Sequence, residues 1–197
     1  MKRLCFATNN QHKLEEVRNL LNDFDILSLR DIGCNAVIPE DFQTIPENSK
    51  QKAEFIFKNF GVDCFADDSG LEIEALNGAP GVDSAHYAGP QRNDRENFEL
   101  VLKKMQGIEN RRARFITVIT LVQKGVYHQF TGSMSGRISD TPYGAGGFGY
   151  DPIFQPEGFS CTVAQLTMED KNKISHRAHA VKKLIDYLQN QSSSDLV

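Results

Sequence analysis

The sequence predicts a mixed α/β sheet flanked by helices, and three observations carry that prediction. The chain opens with strand–turn–helix–strand patterning, the mark of a βα unit. Residues Ala113–Val122 form a long run rich in β-branched side chains, and Lys124-Gly125 turns it back into Val126–Thr131, an antiparallel hairpin. Helical periodicity recurs between and after these strands. Signals of both kinds fit a mixed sheet better than a purely parallel one.

Arg3–Ala7 reads as the first strand and Thr8-Asn9-Asn10-Gln11 as a polar turn. A helix follows over about His12–Asn22, with Leu14, Val17, Leu20 and Leu21 on one face. Asp25–Leu29 fits a second strand, and Asp31–Glu47 is irregular, punctuated by Gly33, Pro39 and Pro46. Asn48–Phe60 reads as a helix stopped by Gly61. A strand then leads to Asp67-Asp68, and Leu71–Ala75 is a further strand. Asn93 with Glu96 makes a capping box for a helix carrying Phe98, Val101, Leu102 and Met105, closed at Gly107. After the hairpin, Gly132–Ile138 adds another strand, Ser139–Gly149 is a glycine-rich loop, and Tyr150–Phe154 is short and extended. Thr167 with Asp170 marks a capped turn, and Ser175 caps a last helix with Ala178, Val181, Leu184, Ile185 and Leu188 inside. Residues 1–190 therefore read as one domain and 191–197 as a flexible tail, with no internal repeat or linker between them.

At 197 residues, with 40% hydrophobic and 24% charged side chains, the chain has ample length for a core. A net charge of −4 argues against a nucleic-acid partner. No apolar run approaches the roughly 18 residues of a membrane span, and the first residues are too short for a signal peptide. Cysteines 5, 34, 64 and 161 show no CxxC or zinc spacing, so buried thiols and a cytoplasmic location are expected. The five histidines form no ligand pair on one helical face. A metal, if used, is a hard cation held by oxygen.

The candidate chemistry begins at Ala66-Asp67-Asp68-Ser69-Gly70. Adjacent carboxylates between strand-like runs suit cation binding or proton transfer, while the same residue types are ordinary turn chemistry. Lys13, just inside the first helix and preceded by Thr8, Asn9 and Asn10, fits a phosphate site at a helix N-terminus. Gly144-Ala145-Gly146-Gly147-Phe148-Gly149 matches GxGxxG, but no strong strand precedes it and Tyr150-Asp151-Pro152 follows where a helix should open. It reads instead as a loop, with Phe148 either offered to a planar group or packed inwards. Arg177 stands in a first helical turn, against the preference for acids there, and its planar donors suit a carbonyl oxygen or phosphate. His176 reads as a partly buried histidine or a polar contact. Glu40 and Glu47 are candidate second acids for a metal, while Lys52 and Lys171 are candidate cations or plain surface lysines.

Six blocks together resemble one family: Thr8-Asn9-Asn10-x-x-Lys13, Glu47-Asn48-x-x-x-Lys52-Ala53, Ala66-Asp67-Asp68-Ser69-Gly70-Leu71, Gly78-Ala79-Pro80-Gly81, Gly146-Gly147-Phe148-Gly149-Tyr150-Asp151-Pro152 and Ser175-His176-Arg177. It is the inosine triphosphate pyrophosphatases, and the blocks run in family order from residue 8 to about 188. Asn9 and Ala178 stand where the family often has glycine. The resemblance implies an elongated α/β fold with two lobes around a central active-site cleft, usually a homodimer. It implies Mg²⁺-assisted attack of water at the α–β phosphoanhydride of ITP, dITP or XTP, releasing pyrophosphate and a nucleoside monophosphate.

By position, Asp68 matches the family's general base and metal contact, and Glu40 its metal-binding glutamate. Asn10, Lys13, Lys52 and Lys171, with the neighbouring Thr8 and Asn9, match the triphosphate contacts, and Ser69 a substrate contact. Phe148, Gly149, Tyr150 and Asp151, with His176 and Arg177, match the base pocket. Asp67 braces the loop in this reading, and Asp68 beside a cation keeps a low pKa. An arginine-type donor at the 6-oxo position would reject adenine. The alternatives are a nucleotide- or RNA-binding module without turnover, and a phosphatase with an aspartyl nucleophile. The first has no need of acids beside phosphates; the second lacks an Asp-x-Asp-x-Thr arrangement.

Overall fold

The structure, a computed structural model, describes residues 2–21 and 24–194. Six strands form one mixed sheet: β1 Lys2–Phe6, β2 Phe24–Leu27, β3 Cys64–Ile73, β4 Arg112–Gln123, β5 Val126–Ile138 and β6 Phe154–Pro156, in spatial order β2-β1-β3-β4-β5-β6. β1 runs parallel to β2 and β3, while β5 and β6 are antiparallel. Among the described residues, five α-helices accompany them: α1 Gln11–Leu20, α2 Ile45–Phe60, α3 Asp94–Lys104, α4 Met168–Ile174 and α5 His176–Ser194. None is long and apolar enough to cross a membrane.

Several elements differ from their sequence patterns. Asp67-Asp68-Ser69-Gly70 is no turn: β3 runs unbroken through it. The two strands expected over 126–138 are one strand: Gly132 and Gly136 both sit within it, and Gly136 pairs with Pro156 of β6. α2 begins at Ile45, three residues early, because Thr44 accepts the Glu47 amide and Pro46 occupies the first turn, where its missing N–H costs nothing. Ser175 closes α4 and directly precedes α5. Gln191–Ser194, expected as tail, continue α5; the expected helix end at Asn22 and tail residues 195–197 lie outside the described residues.

The chain divides into two compact units. One comprises Met1–Asp68, Thr117–Gly132 and Arg177–Val197; the other comprises Ser69–Ile116 and Ser133–His176. In the first, strand alternation sends side chains to both faces, and each face has its own core. Leu4, Phe6 and Phe65 join Leu14 and Val17 of α1 and Val181, Leu184 and Leu188 of α5. Phe6 and Phe65 stack at 4.6 Å between centroids. Cys5, Ala7, Cys64 and Ala66 face the other way, with Ala53 and Ile56 of α2. Cys5 and Cys64 are register partners, and burial pushes the Cys5 thiol up to about 12.

The second unit buries one face of its strands. Leu71, Ile73, Ala113, Phe115, Met134 and Ile138 pack with Val101 and Met105 of α3 and with Tyr150, Ile153 and Phe154. The intervening Glu72, Arg112, Arg114, Ser135 and Arg137 face outward, and Arg114 pairs with Glu72 at 2.6 Å. Such one-sided alternation is ordinary for antiparallel strands. Arg111 ties its corner together, donating to the carbonyls of Met105 (3.0 Å), Ile138 (2.7 Å) and Ser139 (2.6 Å).

Ile119 is fully buried in the first core, so Ile119→Ala should destabilise the protein by about 2–5 kcal/mol in urea melts. Val126, 54% exposed at the hairpin, provides the contrast: Val126→Ser should stay within about 0.5 kcal/mol of wild type.

Candidate active site

Because β3 is a strand at Asp67 and Asp68, successive carboxylates point to opposite faces of the sheet. Asp67 follows Phe65 towards α1 and α5. Lys13 Nζ lies 3.1 Å from its Oδ1 and 3.0 Å from its Oδ2. Arg177 reaches Oδ2 through Nε and Nη2, both at 3.3 Å. The same guanidinium donates through Nη1 to Glu16 of α1. Burial alone would raise the Asp67 pKa, but Lys13 and Arg177 overcome it and hold the carboxyl well below the usual range. Burial lowers the Lys13 pKa, against the pull of Asp67.

Asp68 follows Cys64 and Ala66 to the α2 side. Its Oδ1 accepts from Lys52 Nζ at 3.2 Å, and that ammonium also donates to Glu40 at 2.5 Å. The loop carrying Glu40 is pinned to α2. Buried Asn48 accepts the Phe42 amide (2.9 Å) and donates to its carbonyl (3.0 Å), and Gln51 makes two bonds to Asp41. Beneath the acids, Ser49 donates to the Ala66 carbonyl at 3.1 Å. Burial raises the Asp68 pKa, only partly offset by Lys52 and Lys13. The low value expected beside a cation is therefore not what the protein alone provides. For Lys52, burial lowers the pKa, but Asp68 and Glu40 outweigh it and the net shift is upward.

At the start of α1, Asn10 is the N-cap, accepting the Lys13 amide at 3.1 Å, and Thr8 Oγ1 accepts the Asn10 amide at 3.1 Å. Asn9 and Asn10 are exposed and Thr8 is half-buried. The polar turn is thus structural: its side chains open the helix.

The remaining candidates belong to the second unit. Asp151, 4% exposed, organises the glycine-rich loop by accepting the Phe148 amide (3.0 Å) and Lys171 Nζ (2.7 Å). Gly147 is required here: its φ is +71°, and a Cβ would lie 2.0 Å from the Asp151 carboxylate. Lys171 Nζ sits 4.8 Å from the Phe148 ring centroid, within cation–π range. Asp94 at the start of α3 accepts the Gly149 amide (2.7 Å), and Tyr150 Oη donates to the Ser84 carbonyl (2.7 Å). His176 is buried and stacked on Phe115 at 4.7 Å. Phe148 is half-buried, so neither sequence reading of it holds alone. Ser69 lies on β3, half-buried.

Lys171, expected at the triphosphate, contacts Asp151 and Phe148, and Arg177, expected in the base pocket, contacts Asp67 and Glu16. Sequence reasoning missed Glu16, Asn48 as a tether, Gln51 and Asp94. Glu16 carried one signal: it stands three residues after Lys13, on the same side of α1.

Asp67→Asn leaves Lys13 and Arg177 undercompensated in a buried place, and should cost roughly 3–5 kcal/mol at pH 7. A carboxyl with a depressed folded pKa stabilises fully above its unfolded value near 3.9 and loses that contribution as pH falls towards the folded value. The gap between wild type and Asp67→Asn should therefore narrow below about pH 4 in urea melts.

The chain resembles known proteins in sequence and fold. The model of the Ham1 family matches residues 4–187. The dITP/XTP pyrophosphatase of Flavobacterium psychrophilum is 50% identical over 188 residues, covering 95% of this chain and 99% of that protein. That of Porphyromonas gingivalis is 47% identical over 190 residues, covering 95% and 98%. Among solved structures, the Staphylococcus aureus Ham1 protein superposes with a TM-score of 0.89 at 38% identity, covering 96% of this chain and all (100%) of that one. A HAM1 protein from Coxiella burnetii gives a TM-score of 0.89 at 36% identity, with the same coverage. Sequence match over nearly the whole length, shared fold and six ordered motif blocks together establish that the chain belongs to the Ham1 family.

Proposed function

We propose that this protein hydrolyses deaminated purine nucleoside triphosphates (ITP, dITP and XTP) to the monophosphate and pyrophosphate. The observation that supports this reading most is the acid–lysine cluster on β3: Asp68, Glu40 and Lys52 on one face, Asp67 and Lys13 on the other. Relatives about half identical over the full length are named dITP/XTP pyrophosphatases. A triphosphate carries several negative charges, and cations must neutralise it before an electron-rich oxygen can attack.

In this reading Asn10 and the first amides of α1, with Lys13 and Lys52, bind the phosphate chain. Lys13 is held by Asp67 and keeps 16% of its side chain accessible, the most of the residues that pair with the two β3 acids from the helices. Asp68 is the general base: it orients the attacking water and takes its proton as the oxygen bonds to phosphorus and the anhydride bond breaks, with pyrophosphate leaving.

The donor set fits a hard divalent cation. Asp68 Oδ2 is buried without a hydrogen-bond partner, and Asp68 Oδ1 and Glu40 already converge on one positive group, Lys52. Among the described residues no group of three or more His, Cys, Asp or Glu forms a cage. Two carboxylates with water and phosphate completing the shell is the Mg²⁺ style of binding. Glu40 and Asp68 would hold Mg²⁺, which would neutralise phosphate oxygens and make water more acidic. A cation there also lowers the Asp68 pKa, which burial alone raises.

The base is assigned to Phe148–Asp151, with Lys171 and His176. Phe148 offers a stacking face that holds any purine. Lys171, fixed by Asp151 beside that ring, is a donor suited to an oxo group and unsuited to the 6-amino group of adenine. It is better placed for this than Arg177, whose donors are engaged by Asp67 and Glu16. The homodimer and cytoplasmic location rest on the family resemblance and composition; light scattering tests the first.

Incubation with ITP, XTP, GTP and ATP, with and without Mg²⁺, should give pyrophosphate as first product, fastest from ITP and XTP, and nothing after chelation. Orthophosphate first, or equal rates on ATP and ITP, overturns the reading. Asp68→Asn should lower kcat by roughly 10²–10⁴ while appreciable nucleotide binding, measured by calorimetry, is retained. Near-normal kcat in that variant would remove Asp68 from the role of base.

A further inference from the structure

We propose that Glu16 is a positioning residue that fixes the phosphate-facing ammonium of Lys13, acting through Arg177 and Asp67. Its catalytic consequence rests on the pyrophosphatase reading, but its physical basis does not. Glu16 Oε2 accepts from Arg177 Nη1; Arg177 Nε and Nη2 reach Asp67 Oδ2 at 3.3 Å; Asp67 Oδ1 accepts from Lys13 Nζ at 3.1 Å. Lys13 and Glu16 stand three residues apart on α1, so the backbone closes the chain of contacts into a ring. Charge alternates around it, two cations with two carboxylates.

Only one member of the ring opens outward. Side-chain exposure is 4% for Glu16, 2% for Arg177 and 1% for Asp67, against 16% for Lys13. Glu16 therefore has no direct access to a ligand, and its charge acts through its neighbours. Asp67 by itself cannot balance both cations: its Oδ2 is already shared between Lys13 and Arg177. Glu16 supplies the second negative charge that lets the guanidinium leave half of Asp67 to Lys13.

With Glu16 neutral, the ring holds two cations against one acid. A guanidinium competes well for a carboxylate because it can bind both oxygens at once. Asp67 then turns towards Arg177, and Lys13 loses its anchor and is repelled by the excess charge. The ammonium leaves the position from which it meets phosphate. Loss of one charge-assisted contact of this kind corresponds to roughly tenfold in affinity.

The test is calorimetric binding of inorganic tripolyphosphate, without divalent cation, to the wild-type protein, Glu16→Gln, Lys13→Met and the double variant. Glu16→Gln should weaken binding about tenfold in the Lys13 background and less than about twofold in the Lys13→Met background. Equal losses in both backgrounds, no loss at all, or no tripolyphosphate binding by the wild type would each overturn the inference. Glu16→Asp keeps the charge balance and should bind within about threefold of wild type even if Glu16→Gln does not fold; a tenfold loss there also overturns it. In turnover, Glu16→Gln should raise KM for ITP about tenfold with kcat within about threefold. A wild-type protein that binds tripolyphosphate but releases no pyrophosphate from ITP defeats the pyrophosphatase reading and leaves the ring to stand or fall on binding alone.

Discussion

The structure depends on how two adjacent carboxylates are kept inside a strand. Asp67 and Asp68 are 1% and 8% exposed, and a buried carboxylate without compensation costs several kcal/mol. The strand solves this by sending them to opposite faces, where each meets its own cation. Lys13 and Arg177 serve Asp67 from α1 and the start of α5; Lys52 serves Asp68 from α2. Three helices are thereby tied to one short stretch of β3. Removing Lys52 leaves Asp68 without its paired cation where the surrounding core cannot solvate it, whereas Asp67 keeps a second cation when one is removed.

The two faces end with different chemistry because their compensation differs. Asp67 is over-supplied with cations and stays ionised, so it is a structural anion. Asp68 is under-supplied: one oxygen has Lys52 and the other has no partner, and burial raises its pKa. An acid in that state can gain from a further cation and from a proton, which are the two properties a metal-assisted base needs. The tether from Asn48 and Gln51 brings Glu40 to the same ammonium, so the positive charge of Lys52 marks where negative groups converge.

The second unit uses the same device around a loop. Asp151 is buried and holds both the Phe148 amide and Lys171, so one carboxylate shapes the loop and orients a cation beside an aromatic ring. Gly147 makes that approach possible by having no Cβ. A loop organised by a buried ion pair presents its ring and donor with little conformational freedom left to lose on binding.

The mixed sheet, the family and most of the helices were legible in the sequence, because those follow from local periodicity, caps and ordered motif blocks. Thr8, Asn10, Asn93 and Thr167 were legible as local chemistry at turns and helix ends. That Asp67-Asp68 is strand and not turn emerged only from the fold: β3 runs on through Asp-Asp-Ser-Gly as an inner strand of the sheet, against the local turn preference. From that one fact comes the division of the pair between two faces, and with it the roles of Lys13 and Lys52. Glu16 and Arg177 are 161 residues apart in sequence, and no local pattern relates them. Their pairing is fixed by α1 and α5 packing on the same core, where a buried guanidinium must find its opposite charge within reach.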